Sequence, residues 1–328
     1  MSISRGVNLG GWLVLERWMT PTLFDGTEAR DEWTFMETDG AVEKLRHHRD
    51  TFITESDFAW IAEHGLNAVR LPVGHWIIHP DGPYIEGLSY VDWAFTMAEK
   101  YHLHILLDLH GVPESQNGHD HSGKSGRAGW FGNEEARART IATLVELHNR
   151  YKTSPSYWGL QLINEPRLGV LHRFLRRFYR DAAASIDGDS HIVFHDAFTP
   201  RLLSGVLGRD KRAVMDIHFY HMTSFLARFI SAQRFLKICR SMYSATLRRV
   251  SKKQPAIIGE WSIVLKGDKL EGLPREDAMK LMKEFGAMQR EVYEEYALGW
   301  FYWSYKTESP DIWNFRSLVE DGSFHIPH

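Results

Sequence analysis

The fold is decided by an apolar run that ends in a carboxylate: Trp158-Gly159-Leu160-Gln161-Leu162-Ile163-Asn164-Glu165-Pro166. Runs of four to eight apolar residues are typical of strands buried on both faces of a parallel sheet. Similar runs occur elsewhere along the chain, at residues 5–9, 67–73, 104–108, 191–194, 213–217, 256–259 and 299–303. Together with 158–163, they predict eight strands.

Helical periodicity fills several of the gaps between these runs. Before the second run, Thr54 can cap a helix with Asp57 three residues later, and Gly65 can close it. Residues 133–151 and 275–296 are also predicted to be helical. Strands that alternate with helices imply a parallel sheet, either doubly wound or closed into a barrel. Eight units favour a (β/α)8 TIM barrel, and no Gly-x-Gly-x-x-Gly follows the first strand to indicate a dinucleotide-binding fold.

Length and composition are consistent with one such barrel. The chain has 328 residues, of which 43% are hydrophobic and 25% charged, which is ordinary for a globular protein with a large core. No Pro/Ser-rich linker, low-complexity tract or internal repeat divides it. We therefore predict a single α/β domain spanning residues 1–328.

The charge and the cysteine content restrict partners and compartment. The formal net charge of −3 gives no reason to expect nucleic acid, and a sugar-like ligand fits better. The single cysteine, Cys239, cannot form an internal disulfide or a cysteine-based zinc site. No apolar signal region or membrane span is visible, so a cytoplasmic location without a membrane partner is expected, although a chain trimmed of its signal peptide would look the same. The sequence leaves the oligomeric state open.

The segment 223–253 is unusual because it is predicted to be helical and is rich in arginine and lysine. A solvated outer face of a barrel helix is the simpler interpretation, and a partner surface is the alternative.

Two strands end in a glutamate at the position where a barrel presents its functional residues. The fourth run leads into Asn164-Glu165-Pro166, and the seventh continues as Gly259-Glu260-Trp261. In (β/α)8 barrels the carboxyl ends of the strands converge on the active site, so these two carboxylates are predicted to face each other. A pair of carboxylates is the machinery of glycoside hydrolysis. A separation of about 5–5.5 Å gives retention of configuration, and one of about 6.5–9.5 Å gives inversion.

Neighbouring strand ends supply groups that would give the two glutamates different roles. Arg70 follows the second run and can hold Glu260 ionised. The sixth run leads into His218 and Tyr220, an imidazole near the acid/base and a hydroxyl near the nucleophile. The eighth run supplies Trp300 and Trp303, a predicted hydrophobic platform for a sugar ring.

These motifs carry a specific resemblance. The chain resembles glycoside hydrolase family 5 of clan A, and most closely its exo-β-1,3-glucanase and β-glucosidase branch. The resemblance extends from Gly6-Val7-Asn8-Leu9-Gly10-Gly11-Trp12-Leu13-Val14-Leu15-Glu16 to Gly299-Trp300-Phe301-Tyr302-Trp303-Ser304-Tyr305-Lys306-Thr307-Glu308. Between these ends it includes Arg70-Leu71-Pro72, Leu109-His110-Gly111, Ser115-Gln116-Asn117-Gly118, Asn164-Glu165-Pro166 and Gly259-Glu260-Trp261.

The resemblance implies a role for each matching residue. Glu165 would be the general acid/base, Glu260 the nucleophile and Asn164 a partner of the sugar 2-hydroxyl. Arg70 and Tyr220 would support the nucleophile. The remaining implied site residues line the sugar subsite or orient the acid/base, and they are Glu16, His110, Asp120, His218 and Trp303. No cofactor is implied.

The chain departs from the family pattern on the leaving-group side. Similar exo-glucanases carry Phe-Asp-Asn where this chain has His119-Asp120-His121, so only Asp120 matches. A second phenylalanine expected after Tyr220 is replaced in the segment 221–223, although Phe225 lies nearby. The histidines also suggest a metal site, but no metal-binding spacing supports it.

The leading hypothesis is a retaining β-glycoside hydrolase that acts on the ends of β-linked glucosides, either β-1,3-glucan oligosaccharides or simple β-glucosides, through a covalent glycosyl-enzyme. The alternatives are a transglycosylase with the same site, a β-glucosidase for non-sugar aglycones, a non-catalytic carbohydrate-binding protein and a metal-dependent barrel hydrolase. Glu165 is expected to have a raised pKa.

Overall fold

A computed structural model describes residues 3–167, 172–223, 229–267 and 270–326. Eight parallel strands form a closed barrel in which each strand pairs with its sequence neighbours and the first pairs with the last. The strands are β1 (Ser4–Asn8), β2 (Ala68–Gly74), β3 (His104–Gly111), β4 (Tyr157–Gln161), β5 (His191–His195), β6 (Ala213–Thr223), β7 (Ala256–Gly267) and β8 (Gly299–Tyr302). The predicted fold class and all eight predicted strands are confirmed.

The helices of the described residues surround the barrel. They are α1 (Glu32–Met36), α2 (Ala41–Thr51), α3 (Glu55–Glu63), α4 (Leu88–Lys100), α5 (Glu134–Tyr151), α6 (His172–Ala184), α7 (Pro200–Leu203), α8 (Ala232–Val250), α9 (Arg275–Tyr296) and α10 (Phe315–Glu320). The predicted helices at 133–151 and 275–296 correspond to α5 and α9. In the described residues, no helix is long and apolar enough to cross a membrane.

The barrel interior is filled by small and medium-sized apolar side chains from successive strands. One buried cluster consists of Ala68, Leu106, Val193, Val214, Ile257 and Phe301. A larger cluster fills the space between the barrel and its helices. This packing explains why the strands are rich in apolar residues, whereas the polar side chains of the site lie towards their carboxyl ends.

Three strands continue by at least three residues beyond the apolar runs that predicted them. β3, β6 and β7 extend past residues 108, 217 and 259, and β6 and β7 remain paired as far as Thr223 and Gly267. The apolar run marks only the part of each strand that packs on both faces. The extensions carry polar residues to the open end of the barrel, where the candidate site lies.

The start of α3 has the predicted capping box. The backbone nitrogen of Thr54 donates to the Asp57 carboxylate at 2.8 Å, and Gly65 takes a positive φ of 78° after the helix. The Asp57 carboxylate also accepts from Lys306 at 2.8 Å and from Arg316 at 3.1 Å. The cap of α3 therefore also ties the segment after β8 to the barrel.

The basic segment 223–253 contains α8, a helix of 19 residues without an acidic side chain. Phe225 lies outside the described residues. Part of the outer face of α8 is open to solvent. Ile238 and Met242 are 51% and 47% exposed on that face. The prediction of a helix is confirmed for residues 232–250, whereas Thr223 belongs to β6.

Candidate active site

Glu260 lies in β7 and is held by two of the predicted neighbours. The Nη1 atom of Arg70 donates to Glu260 Oε1 at 2.9 Å, and the Tyr220 hydroxyl donates to Oε2 at 2.8 Å. Arg70 is fully buried. A guanidinium and a hydroxyl that both donate to one carboxylate stabilise its ionised form. Glu260 is therefore suited to act as a nucleophile.

Arg70 in turn is held by a network that the sequence did not reveal. Its side chain donates to Asn8 at 2.8 Å, to Gln161 at 2.9 Å and to Asn164 at 2.8 Å, and it forms an ion pair with Asp108 at 3.0 Å. These partners come from β1, β4, the loop after β4 and β3. The guanidinium is thus fixed at the centre of the barrel mouth.

Glu165 lies in the loop after β4 and is bound by His218. The two side chains are joined by a 2.7 Å contact between Glu165 Oε1 and His218 Nδ1, and His218 Nε2 lies 3.0 Å from Asp216 Oδ2. The Glu165 backbone has a positive φ of 38°, which is strained for a residue with a side chain. Its carbonyl oxygen accepts from Asn117 at 3.1 Å, which helps to hold this backbone in place.

The two glutamates lie close to the same imidazole nitrogen. His218 Nδ1 is 2.7 Å from Glu165 Oε1 and 3.5 Å from Glu260 Oε2. These two oxygens can therefore be no farther apart than the sum of the two distances, about 6.2 Å. This limit applies to one pair of oxygens and is compatible with the separation of about 5–5.5 Å between the carboxyl groups of retaining enzymes.

The two carboxylates open into one cavity of about 570 Å³. Among the predicted sugar-binding residues, Glu16, His110 and Trp303 line it. The rings of His110 and Trp303 are stacked 5.6 Å apart. His110 Nδ1 lies 2.6 Å from Asp108 Oδ2, and burial lowers the pKa of His110 to about 3, so this imidazole is neutral and donates to Asp108. A wall of this kind presents an apolar face to a sugar ring and polar groups to its hydroxyls.

The contacts of Asn164 and Asp120, two of the predicted site residues, could not be predicted from the sequence. The side chain of Asn164 is fully buried, with Oδ1 bound to Arg70 and Nδ2 lying 3.2 Å from His110 Nε2. Asp120 is not among the residues that line the cavity, and its Oδ1 accepts from the backbone nitrogen of His121 at 3.0 Å. Neither residue lines the cavity, although Asn164 contacts both Arg70 and His110.

Comparison with known proteins identifies the family. A family model described as Cellulase (glycosyl hydrolase family 5) matches residues 25–309. The glucan 1,3-beta-glucosidase of Blumeria graminis is 33% identical to this chain and aligns with 98% of it and 87% of its own length. The probable glucan 1,3-beta-glucosidase A of Emericella nidulans is also 33% identical, over 98% of this chain and 90% of its own length.

The chain belongs to glycosyl hydrolase family 5. The family predicted from the motifs is confirmed, and the protein is a retaining glycoside hydrolase. Solved structures agree in fold. A rutinosidase from Aspergillus niger superimposes with a TM-score of 0.83 at 23% identity over 99% of this chain and 98% of its own.

The protonation of Glu165 in this family 5 enzyme differs from the expectation of a raised pKa. Burial alone would raise the pKa of Glu165, but the hydrogen bond and the positive charge of His218 outweigh it and lower the pKa. Burial opposes the charge on His218, yet Glu260, Asp216 and Glu165 raise its pKa well above the ordinary value. The expectation is therefore wrong for the site as it stands, because the proton of the pair resides on His218.

Several cavity residues of the family 5 enzyme were not predicted as site residues. They come from loops and from the extended ends of β6 and β7, and they are Trp18, His121, Phe198, His221, Val264 and Trp313. His121 had been recognised only as a departure from the family pattern, yet its Nε2 lies 3.5 Å from Glu165 Oε2. The sequence feature that could have indicated His121 as a site residue is its position in the loop after β3, two residues after His119.

Within the described residues, one group of three side chains in the family 5 enzyme has the spacing of metal ligands. Glu165, His195 and His218 present atoms within 4.8 Å of one another. However, His195 Nδ1 accepts from the backbone nitrogen of Ala197 at 2.9 Å, so the neutral ring carries its proton on Nε2. The protonated His218 also lacks a free lone pair. These protonation states suit proton transfer better than metal binding.

Proposed function

We propose that this family 5 enzyme is an exo-acting β-1,3-glucosidase that removes single glucose units from the ends of β-1,3-linked oligosaccharides by double displacement. The observation that carries the proposal is the pair of carboxylates, Glu165 and Glu260, that share His218 at the mouth of the barrel. The substrate is inferred from the relatives, which align with nearly the whole chain and are named glucan 1,3-beta-glucosidases.

In the first step of the proposed reaction, Glu260 attacks the anomeric carbon of the terminal glucose. The donors on both of its oxygens, Arg70 and Tyr220, keep it ionised and aimed into the cavity. The bond to the leaving oxygen breaks as Glu165 supplies a proton to that oxygen. The product of this step is a glucosyl ester of Glu260.

Glu165 becomes a proton donor when substrate fills the cavity. A sugar that displaces water from Glu165 raises the pKa of this carboxyl group by desolvation. The proton of the pair then moves from His218 to Glu165. In the second step Glu165, now ionised, removes a proton from a water molecule. This water attacks the anomeric carbon and releases Glu260, so that the two displacements give net retention. His218 acts through Glu165 and is a positioning residue.

The glucose ring is proposed to bind against the wall formed by Trp303 and His110, with the carboxylate of Glu16 beside it. Burial raises the pKa of Glu16 well above its ordinary value, although the indole nitrogen of Trp18, which donates to it at 2.8 Å, opposes this effect. Asn164 is proposed to contact the 2-hydroxyl, and Asp120 to support the substrate from the edge of the site.

Product analysis tests this function. The enzyme is incubated with β-1,3-, β-1,4- and β-1,6-linked glucose disaccharides and with laminarin, and the anomer released first is identified by NMR. We expect the highest kcat/KM on the β-1,3 disaccharide, glucose as the first product from laminarin and the β-anomer at early times. Preference for another linkage would refute the substrate, longer first products would refute the exo mode, and the α-anomer would refute retention.

A further inference from the structure

The loop that carries His121 is fixed by packing. His121 belongs to a single 3-10 turn, Asp120–Ser122. The hydroxyl of Ser122 is buried, lies 2.7 Å from that of Ser115 and donates to the carbonyl of His119 at 2.6 Å. Gly123 follows with a φ of 86°, and a Cβ at this position would lie 2.1 Å from the ring of Trp76. The imidazole of His121 is therefore presented to the cavity from a rigid base.

The geometry shows which oxygen of Glu165 faces the leaving group. Oε1 is engaged by His218 at 2.7 Å. Oε2 has no contact of hydrogen-bond length to a described residue, and His121 Nε2 lies 3.5 Å from it. Oε2 is thus the oxygen available to protonate the scissile bond. A leaving oxygen at a hydrogen-bond distance of about 2.7 Å from Oε2 lies beside the imidazole of His121.

The imidazole of His121 is neutral in this environment. Burial lowers its pKa, and the negative charge of Glu165 only partly opposes that effect. The other groups near it are Glu260 and Asp120, whose charges also raise its pKa, and His110, which lowers it. His119 stacks on its outer face, 5.6 Å away. A neutral imidazole offers one N–H donor and one nitrogen acceptor, which suits a hydroxyl group.

We propose that His121 determines specificity on the leaving-group side by binding a hydroxyl on a carbon adjacent to the carbon that bears the scissile oxygen. A glucose unit released from its O3 carries hydroxyls on both neighbouring carbons, C2 and C4. A unit released from its O6 has no hydroxyl on the neighbouring carbon in its ring form, because C5 bears the ring oxygen. His121 therefore favours the β-1,3 linkage over the β-1,6 linkage, an inference that rests on the proposed function.

The test compares kcat/KM of the wild type and of three variants on the β-1,3 and β-1,6 glucose disaccharides. His121→Phe keeps a flat ring without polar atoms, and His121→Gln keeps a donor and an acceptor. His119→Phe is the matched control, because His119 stacks on His121 and does not line the cavity. We expect His121→Phe to lower the β-1,3 to β-1,6 ratio of kcat/KM about tenfold, as for one lost hydrogen bond.

His121→Gln should restore part of this ratio, and His119→Phe should leave it unchanged. An equal loss on both disaccharides in His121→Phe would overturn the inference, since it would show that the residue only supports the loop or Glu165. An unchanged ratio would overturn it as well. Failure of the proposed function has a separate signature, because it appears as a wild-type preference for another linkage, whereas His121 is judged by the change between variant and wild type.

Discussion

At the scale of single residues, the site is organised by two buried cations with different tasks. Arg70 contacts Glu260 and Asp108 and is fixed by three amide side chains. His218 lies between Glu165 and Asp216 and holds a proton there. Arg70 cannot give up its proton, whereas an imidazolium can. The two glutamates therefore differ because one is paired with a permanent charge and the other with an exchangeable one.

The assignment of Glu260 predicts chemical rescue. Glu260→Gly should lower kcat on an aryl β-glucoside by at least 1,000-fold, roughly the scale of an essential group, because no covalent intermediate can form. Azide can enter the vacated space and attack the anomeric carbon, and the product should be the α-glucosyl azide. NMR of the product checks its configuration. Glu16→Gly is a useful comparison, since this cavity carboxylate is not proposed as the nucleophile, and rescue there instead of at Glu260 would contradict the assignment.

At the scale of elements, the strand ends and helix caps determine how precisely the site is built. Gly259 immediately precedes Glu260, and its backbone nitrogen donates to Asp216 at 2.7 Å. A Cβ at Gly259 would lie 2.2 Å from the carboxylate of Asp216, so only glycine permits this approach of β7 to β6. The same contact connects the positions of Glu260 and His218.

The cap of α3 predicts a stability effect remote from the site. Asp57→Ala removes the partner of Lys306 and Arg316 as well as the helix cap. We expect the free energy of unfolding to fall by about 1.5–3 kcal/mol, the range for hydrogen bonds to charged groups, because Lys306 and Arg316 are partly exposed and remain solvated. Urea denaturation measures this change. Thr54→Ala, which leaves the ion pairs intact, should cost only about 0.5–2 kcal/mol, and equal losses in both variants would contradict the proposed importance of the ion pairs.

The outer face of α8 predicts an uneven surface charge. Arg234, Lys237 and Arg249 are exposed on a helix that has no acidic residue. At moderate salt, charges farther away than about 10 Å are largely screened, so the electrostatic potential at this face is determined by its own basic residues and not by the net charge of the molecule. The protein should therefore be retained by a sulfonate resin at pH 7 and low salt, despite its net charge of −3.

Charge reversal provides the control for this surface. Arg234→Glu with Lys237→Glu should elute at clearly lower salt than the wild type. Lys280→Glu with Lys283→Glu makes the same change in net charge on α9, where acidic residues are interspersed. Equal shifts for the two pairs would show that net charge alone controls retention.

At the scale of the whole molecule, buried histidines connect stability to pH. Burial lowers the pKa of His48 to about 4 and the pKa values of His110 and His195 to about 3. These histidines take up protons in the unfolded chain near pH 6.5, but in the folded protein only near pH 3–4. The unfolded state binds more protons between these limits, so the free energy of unfolding rises with pH there and falls on acidification. His218, whose pKa is raised, has the opposite sign and loses its contribution at alkaline pH.

His48 offers a test of this linkage outside the candidate site. Its Nε2 lies 2.8 Å from the carbonyl oxygen of Gly11, to which the neutral ring donates. In His48→Gln, the slope of the unfolding free energy between pH 6 and 5 should be smaller by up to about 1.4 kcal/mol per pH unit, the value for one proton. Urea titrations at several pH values measure the slope, and an unchanged slope would contradict a neutral buried His48.

The sequence by itself determined the barrel, the family and the two glutamates. Apolar runs report burial on both faces of a strand, and strand ends in a barrel meet at one place, so Glu165, Glu260, Arg70 and Tyr220 could be brought together from local pattern alone. Their contacts in the structure agree with that placement.

Only the tertiary structure decided which proton sits where and which loop residues complete the cavity. Asp108 and Asp216 read as ordinary strand residues, and their importance arises from distances to Arg70 and His218 that connect separate strands. His121 likewise gains its place from a turn packed against Trp76. Electrostatic energy depends on separation and burial in three dimensions, which no periodicity along the chain encodes. For that reason the pKa of Glu165 was mispredicted from sequence, while the position of Glu165 was not.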